Sequence, residues 1–158
     1  MQLSDVLLIG GAVFIFFVCL IIFYAYLMRL KIIVDNRWLE LIAILRVQQD
    51  MIPLMIEIAR YYIKDAKLIN EIIKARRLAY FNPTDENIAE MDFMIKRILN
   101  LEKRLRRLRY DLDFLGIKND FAENFEEVQR RTVDYNIAVN KYNKIAGAFG
   151  RKISLFEI

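Results

Sequence analysis

VLLIGGAVFIFFVCLIIFYAYLM, residues Val6 to Met28, is a run of 23 residues without a charged side chain. As a helix rising 1.5 Å per residue it reaches about 35 Å, enough to cross a hydrocarbon core of about 30 Å with some tilt. Tyr24 and Tyr26 fall near one interface, where aromatic rings concentrate. A cleaved signal peptide is the weaker reading. It calls for a basic leader, a shorter apolar core and a small-residue cleavage site, whereas the only charge before this run is Asp5. All 24 Lys and Arg follow the run, beginning with Arg29, Lys31, Arg37 and Arg46. Basic residues flanking a span favour the cytoplasmic side. The expected layout is an outside N-terminus (1–5), a membrane helix (6–28), a cytoplasmic helical domain (29–147) and a C-terminal tail (148–158).

Working outward, the polar part carries a mild basic excess near +5, since Asp5 alone among the 20 acids precedes it. That suits a neighbour of an anionic membrane surface and is too small to argue for nucleic acid. The chain has no histidine, and its single cysteine, Cys19, lies inside the apolar run. A disulfide framework is excluded, and the commonest general base and the usual zinc ligands are missing. No phosphate-cradling glycine loop or nucleophile elbow occurs. The paired acids Asp85–Glu86, Asp111/Asp113 and Glu126–Glu127 read as solvated charge near helix ends. No catalytic, cofactor or metal site is expected.

Punctuation after the apolar run is sparse and predicts an all-α fold. Asn82-Pro83-Thr84-Asp85 reads as an N-cap at Asn82, a proline at the first helical position and an early acid. Gly116 can end a helix, and Asp120 with Glu123 resembles a capping box for the next. These breaks predict helices over about 30–81, 83–115 and 120–147, an antiparallel bundle of three with the first continuing from the membrane. Its seam runs Val34, Trp38, Leu41, Leu45, Gln48, Ile52, Met55, Ala59, Tyr62, Ala66, Ile69, Ile73 in unbroken phase across Pro53. Pro53 is therefore expected to kink the helix; a break there, capped by Asp50, would yield four helices. The middle seam is Ile88, Met91, Ile95, Ile98, Leu101, Leu105, Leu108, Leu112, Leu115. The last, Phe121, Phe125, Val128, Thr132, Tyr135, Val139, Tyr142, Ala146, Phe149, has coiled-coil-like 4-3 spacing.

Several of these residues form a pattern. Val34…Trp38, Asp50-Met51-Ile52-Pro53, Ala75-Arg76, and the pairs Tyr135-Asn136 and Tyr142-Asn143 occur in order behind an anchor. The chain resembles the LemA family in these segments over nearly its whole length. It departs at Ala25 and Leu54, where the family carries asparagine, and it lacks a proline-containing segment near Tyr110-Asp111-Leu112. The resemblance implies a helical bundle, a single span and no known catalytic activity. It also implies a family linked to envelope-stress proteins and a membrane metalloprotease.

Tyr135 and Tyr142 are expected to pack in the core, with Asn136 and Asn143 bonding neighbouring helices and fixing register. The run Lys103, Arg104, Arg106, Arg107, Arg109 is expected to complement a helix C-terminus and to face Asp120, Glu123, Glu126 and Glu127. If its helix returned toward the bilayer, Arg106, Arg107 and Arg109 would join Arg29 and Lys31 near lipid. Apolar residues beyond the first seam (Leu39, Ile42, Ile44, Met51, Ile56, Ile58, Tyr61, Ile63, Ile72) exceed what two partner helices cover. Homo-oligomerisation is the expected use, with Gly10, Gly11 and Ala12 allowing close contact in the membrane. An adaptor for another membrane protein, such as a protease, is the alternative. The Ile153–Ile158 tail is expected to dock on the bundle or on a neighbouring subunit.

Overall fold

The computed structural model describes residues 3–63 and 66–156, with side chains from Gly10 onward except that of Phe149. Among these residues there is no strand. Helix α1, Leu3–Tyr62, carries the apolar run and the first half of the bundle as one continuous element about 90 Å long. It is followed by α2 (Ala66–Phe81), α3 (Asp85–Leu99), a 3₁₀ turn (Asn100–Lys103), the short α4 (Arg106–Arg109) and α5 (Leu112–Ala146).

Pairs between elements fix the topology. From Tyr62–Asp111 through Ile44–Asn124 and Glu40–Arg131 to Trp38–Tyr135, α5 runs antiparallel to α1. Arg76 meets Gln49 and Asp50, while Ala79 and Pro83 lie near Leu45 and Ile42, so α2 also runs back along α1. The turn at Asn82–Thr84 then sends α3 parallel to α1, tied to α2 by Arg97–Glu71 at 3.2 Å. The result is an up-down-up-down bundle of four long helices. Only α1 extends beyond it, and from Gly10 to Ile22 its apolar side chains are exposed.

Four helices replace the expected three because the first long segment is two helices: α1 ends at Tyr62 and the antiparallel α2 begins at Ala66. The helix passes through Pro53 unbroken. Beyond Tyr62 the expected phase fails. Ile69 is buried, but Leu68, Ile72, Ala75 and Ala79 form the inner face of α2 and Ile73 is exposed. Lys64 and Asp65 lie outside the described residues, as do Glu157 and Ile158 of the tail. The added helix also covers most of the expected apolar excess. Ile56, Ile63 and Ile72 are buried, and Ile42, Ile44, Met51 and Ile58 pack partly against the core; Leu39 and Tyr61 stay exposed.

The second turn is displaced as well. α3 ends at Asn100, whose backbone and side-chain amides both return to the Lys96 carbonyl. Leu105 is then extended (φ −108°, ψ 94°). Asp111, not Asp120, caps α5 by accepting from the Phe114 N–H at 2.9 Å. Gly116 sits inside α5, where it weakens the helix without ending it. Leu112, expected in the middle seam, is exposed at the start of α5, while Ile88, Met91, Ile95, Ile98 and Leu108 are buried as expected. At the first turn Thr84, not Asn82, is the cap, accepting from the Asn87 N–H at 3.3 Å. Of the last seam, Phe121, Val128, Tyr135, Val139, Tyr142 and Ala146 are buried, Phe125 packs on them and Thr132 is half-buried; the Phe149 side chain lies outside the described set.

Candidate functional site

The five motif segments separate into two clusters. The first sits where α1 crosses Pro53. A proline has no N–H to give the carbonyl four residues earlier, so the Gln49 carbonyl loses its helical partner. Arg76 supplies one: its Nε donates to the Gln49 oxygen at 2.7 Å, and its Nη2 lies 3.7 Å from the Asp50 carboxylate. Ile52 and Ala75 are buried on either side. Asp50, Ile52, Pro53, Ala75 and Arg76 thus form one clasp joining α1 to α2, and the clasp explains how the helix passes the proline without leaving an orphan acceptor.

The second cluster is a cradle built from α1, α5 and the tail. α5 ends in a Schellman reversal: the Gly150 N–H bonds the Gly147 carbonyl at 3.2 Å and the Arg151 N–H bonds the Ala146 carbonyl at 3.2 Å. Gly150 takes φ +74°, a left-handed conformation that glycine adopts without Cβ strain. The chain then returns along α5 without regular structure. Asn143 grips Ile153 at both backbone groups, donating to its carbonyl at 2.7 Å and accepting from its N–H at 2.9 Å. Asn136 grips Phe156 in the same way at 2.8 and 2.9 Å. The spacing suits the task. Seven helical residues rise about 10.5 Å, and three extended residues cover about 10 Å.

Side chains complete the cradle. Phe156 is buried with its ring 5.4 Å from that of Trp38, which also lies 5.4 Å from the ring of Tyr135. The Tyr135 hydroxyl reaches the Ser154 carbonyl at 3.4 Å, and burial raises its pKa. Tyr142 is buried one heptad on. The tyrosines pack as expected. The asparagines do not bond neighbouring helices; they hold the tail, which docks on its own bundle.

The basic residues fall into two groups at opposite ends. Arg29 and Lys31 flank the apolar run. Arg106, Arg107 and Arg109 lie beside the Tyr62–Asp111 junction, about 45 Å farther along α1. If residues 6–28 span a membrane, Arg29 and Lys31 would lie beside lipid, and Arg106, Arg107 and Arg109, at the far end of the bundle, would not. The expected facing of the basic run and the α5 acids is also absent. Glu127 pairs with Arg130 and Arg131 within α5, and these hydrogen bonds depress its carboxyl pKa; Glu40 is depressed chiefly by its hydrogen bond from Arg37 at 2.7 Å, with Arg131 bridging to it at 2.8 Å. Lys118 pairs with Glu102.

Sequence reasoning missed a buried polar layer at mid-bundle. Gln48 and Gln49 on α1, Asp92 on α3 and Asn124 on α5 are all buried. Asn124 donates to the Ile44 carbonyl at 3.4 Å. The Gln48 amide lies near enough to Asp92 to lower its pKa slightly, yet outside hydrogen-bonding geometry. Burial dominates and raises the Asp92 carboxyl to about 6, against smaller opposing effects of Lys96 and Gln48. Gln48 on an otherwise apolar seam was the available signal. Among the described residues no group of three His, Cys, Asp or Glu could hold a metal ion. Compared with protein-family models and with curated proteins, the chain matches none.

Proposed function

We propose that this chain is a non-enzymatic, membrane-anchored structural and interaction protein of LemA type that self-assembles through α1. The observation that carries the reading is a second apolar stripe on that helix. Ile32, Leu39, Ala43, Val47, Leu54 and Tyr61 are exposed. At 100° per residue they lie within about 40° of the direction opposite the buried seam of Val34, Leu41, Leu45 and Ile52. Asn36, Asp50 and Glu57 share that sector and divide it into apolar patches; the bundle covers the buried seam, and a second copy is the proposed cover for the exposed patches. Gly10 and Gly11 have open space where a Cβ would stand, which suits close approach of two spans.

Mass determination of the full-length protein in mild detergent tests the assembly. Wild type at micromolar concentration should be oligomeric, and Val47→Asp with Leu54→Asp should be monomeric with unchanged helicity. A monomeric wild type would overturn the reading.

Orientation is part of the same proposal: the apolar run crosses the cell membrane once, with the N-terminus outside and the bundle in the cytoplasm. The run is uncharged, and the basic residues Arg29, Lys31 and Arg37 follow it. In a Cys19→Ala background, an impermeant thiol reagent applied to intact cells should label Ser4→Cys and spare Lys118→Cys. The reverse pattern would refute the orientation.

A further inference from the structure

Where the bundle meets the apolar run, α1 and α5 enclose a small cavity of about 120 Å³ lined by Tyr24, Leu27, Met28, Lys31, Tyr142, Ala146 and Arg151. We propose that this cavity binds the phosphodiester of an anionic phospholipid headgroup. The inference rests on the reading of residues 6–28 as a membrane span and adds a specific lipid contact to it.

Location supports the assignment first. The charge-free run ends at Met28, so Tyr24 to Lys31 straddles the depth at which hydrocarbon gives way to headgroups. α5 descends antiparallel to α1 and brings Tyr142 and Ala146 to that same depth. Arg151 reaches the cavity because the left-handed Gly150 turns the chain back immediately after the helix, with the Arg151 N–H held by the Ala146 carbonyl.

Chemistry and size agree. Lys31 and Arg151 bring cations from two separate segments, and Tyr24 and Tyr142 bring phenols. Leu27, Met28 and Ala146 provide an apolar lining of the kind that glycerol and the first acyl carbons occupy. A guanidinium and an ammonium together suit a phosphate oxygen pair. The volume is well below the roughly 300 Å³ at which sites for drug-sized ligands begin. The wider collar is mostly basic: Arg29, Lys31, Lys141, Lys144, Arg151 and Lys152 lie within residues 24–31 and 141–152, and the next acid along α1 is Asp35, one turn beyond Lys31.

A built-in control lies at the far end of the bundle. A larger cleft of about 570 Å³ there is lined by Lys96, Arg97, Lys103 and Arg104 among others. It has more cations than the proposed site but lies about 45 Å from the membrane boundary along α1. If charge alone recruits headgroups in a micelle, this cleft will do so equally.

The test uses full-length protein in dodecyl maltoside micelles, with native mass spectrometry reading retained lipid. Phosphatidylglycerol should be retained and phosphatidylcholine lost. Lys31→Gln with Arg151→Gln should weaken phosphatidylglycerol retention by about twenty-fivefold, from about fivefold per cation near an anionic surface. Lys31→Arg with Arg151→Lys should retain it, and so should Lys103→Gln with Arg104→Gln. Equal retention of both lipids, or an equal loss in the far-end variant, would overturn the site. Competition by inorganic phosphate at millimolar concentration would overturn the lipid assignment in favour of a free-anion site. Alkaline extraction separates the two readings. Release of the protein from vesicles by this treatment would sink the span and the site together. A protein that resists extraction but does not discriminate between lipids loses only the site.

Discussion

Replacing Tyr135 by alanine should lower the unfolding free energy by about 3–5 kcal/mol, the range seen when a large buried ring is deleted. The ring is buried on the α5 seam and packs at a tilt with its centroid 5.4 Å from that of Trp38, which in turn carries Phe156. Its loss opens a cavity where α1, α5 and the tail meet. Two comparisons separate packing from polarity. Tyr135→Phe removes only the 3.4 Å hydroxyl bond to Ser154 and should cost about 1 kcal/mol or less. Arg106→Ala, at an exposed position on α4, should cost under about 1 kcal/mol. Denaturant unfolding of the three variants measures this directly, and near-equal losses would mean that the seam is misassigned.

Asp92→Asn should stabilise the protein at pH 7 by about 2–3 kcal/mol. The wild-type carboxyl is raised from 3.8 to about 6 by burial, so between about pH 4 and 6 the folded state keeps a proton that the unfolded chain has released. Stability from this group therefore falls as pH rises through that window, and the penalty is complete above it. At about 1.4 kcal/mol per pKa unit, a shift of about two units gives the expected size. Asn keeps the shape and cannot ionise. The carboxyls of Glu40, Asp111 and Glu127 are depressed by Arg37, Tyr62 and Arg130 respectively, and act in the opposite sense. Their stabilisation is present above the unfolded value and is lost as pH falls through the folded one. Wild-type stability should accordingly peak at about pH 5, and Asp92→Asn should remove the decline on the alkaline side of that peak. An unchanged decline in the variant would show that Asp92 is not its source.

The α5 seam was legible because its 4-3 spacing never slips and its neighbours agree with it. Ile88 to Ile98 were legible for the same reason. The turn after Tyr62 was not: Arg60-Tyr61-Tyr62-Ile63-Lys64 contains no glycine, proline or asparagine, and the apolar residues around it fit two phases equally well. Gly116 and Asp120 misled in the opposite direction, as a glycine inside a long helix costs only about 1 kcal/mol and tertiary packing overrides it. Asp111 was visible as an acid but not as a cap, since nothing local distinguishes Asp111-Leu112-Asp113 from solvated charge.

The candidate sites divide along the same line. By itself the sequence determined the helical class, the apolar run, the buried faces of α3 and α5, and the passage of α1 through Pro53, all of which follow from periodicity and composition along one element. Tertiary structure alone decided that Arg76 serves the carbonyl freed by Pro53, 27 residues away, and that Asn136 and Asn143 grip the tail. It also decided that Asp92 meets Gln48 inside the bundle and that Lys31 and Arg151 line one cavity. Each of these joins residues from different elements. A local pattern can state which groups need a partner; which partner arrives depends on where the turns fall, and that is set by how the four long helices bury their apolar faces together.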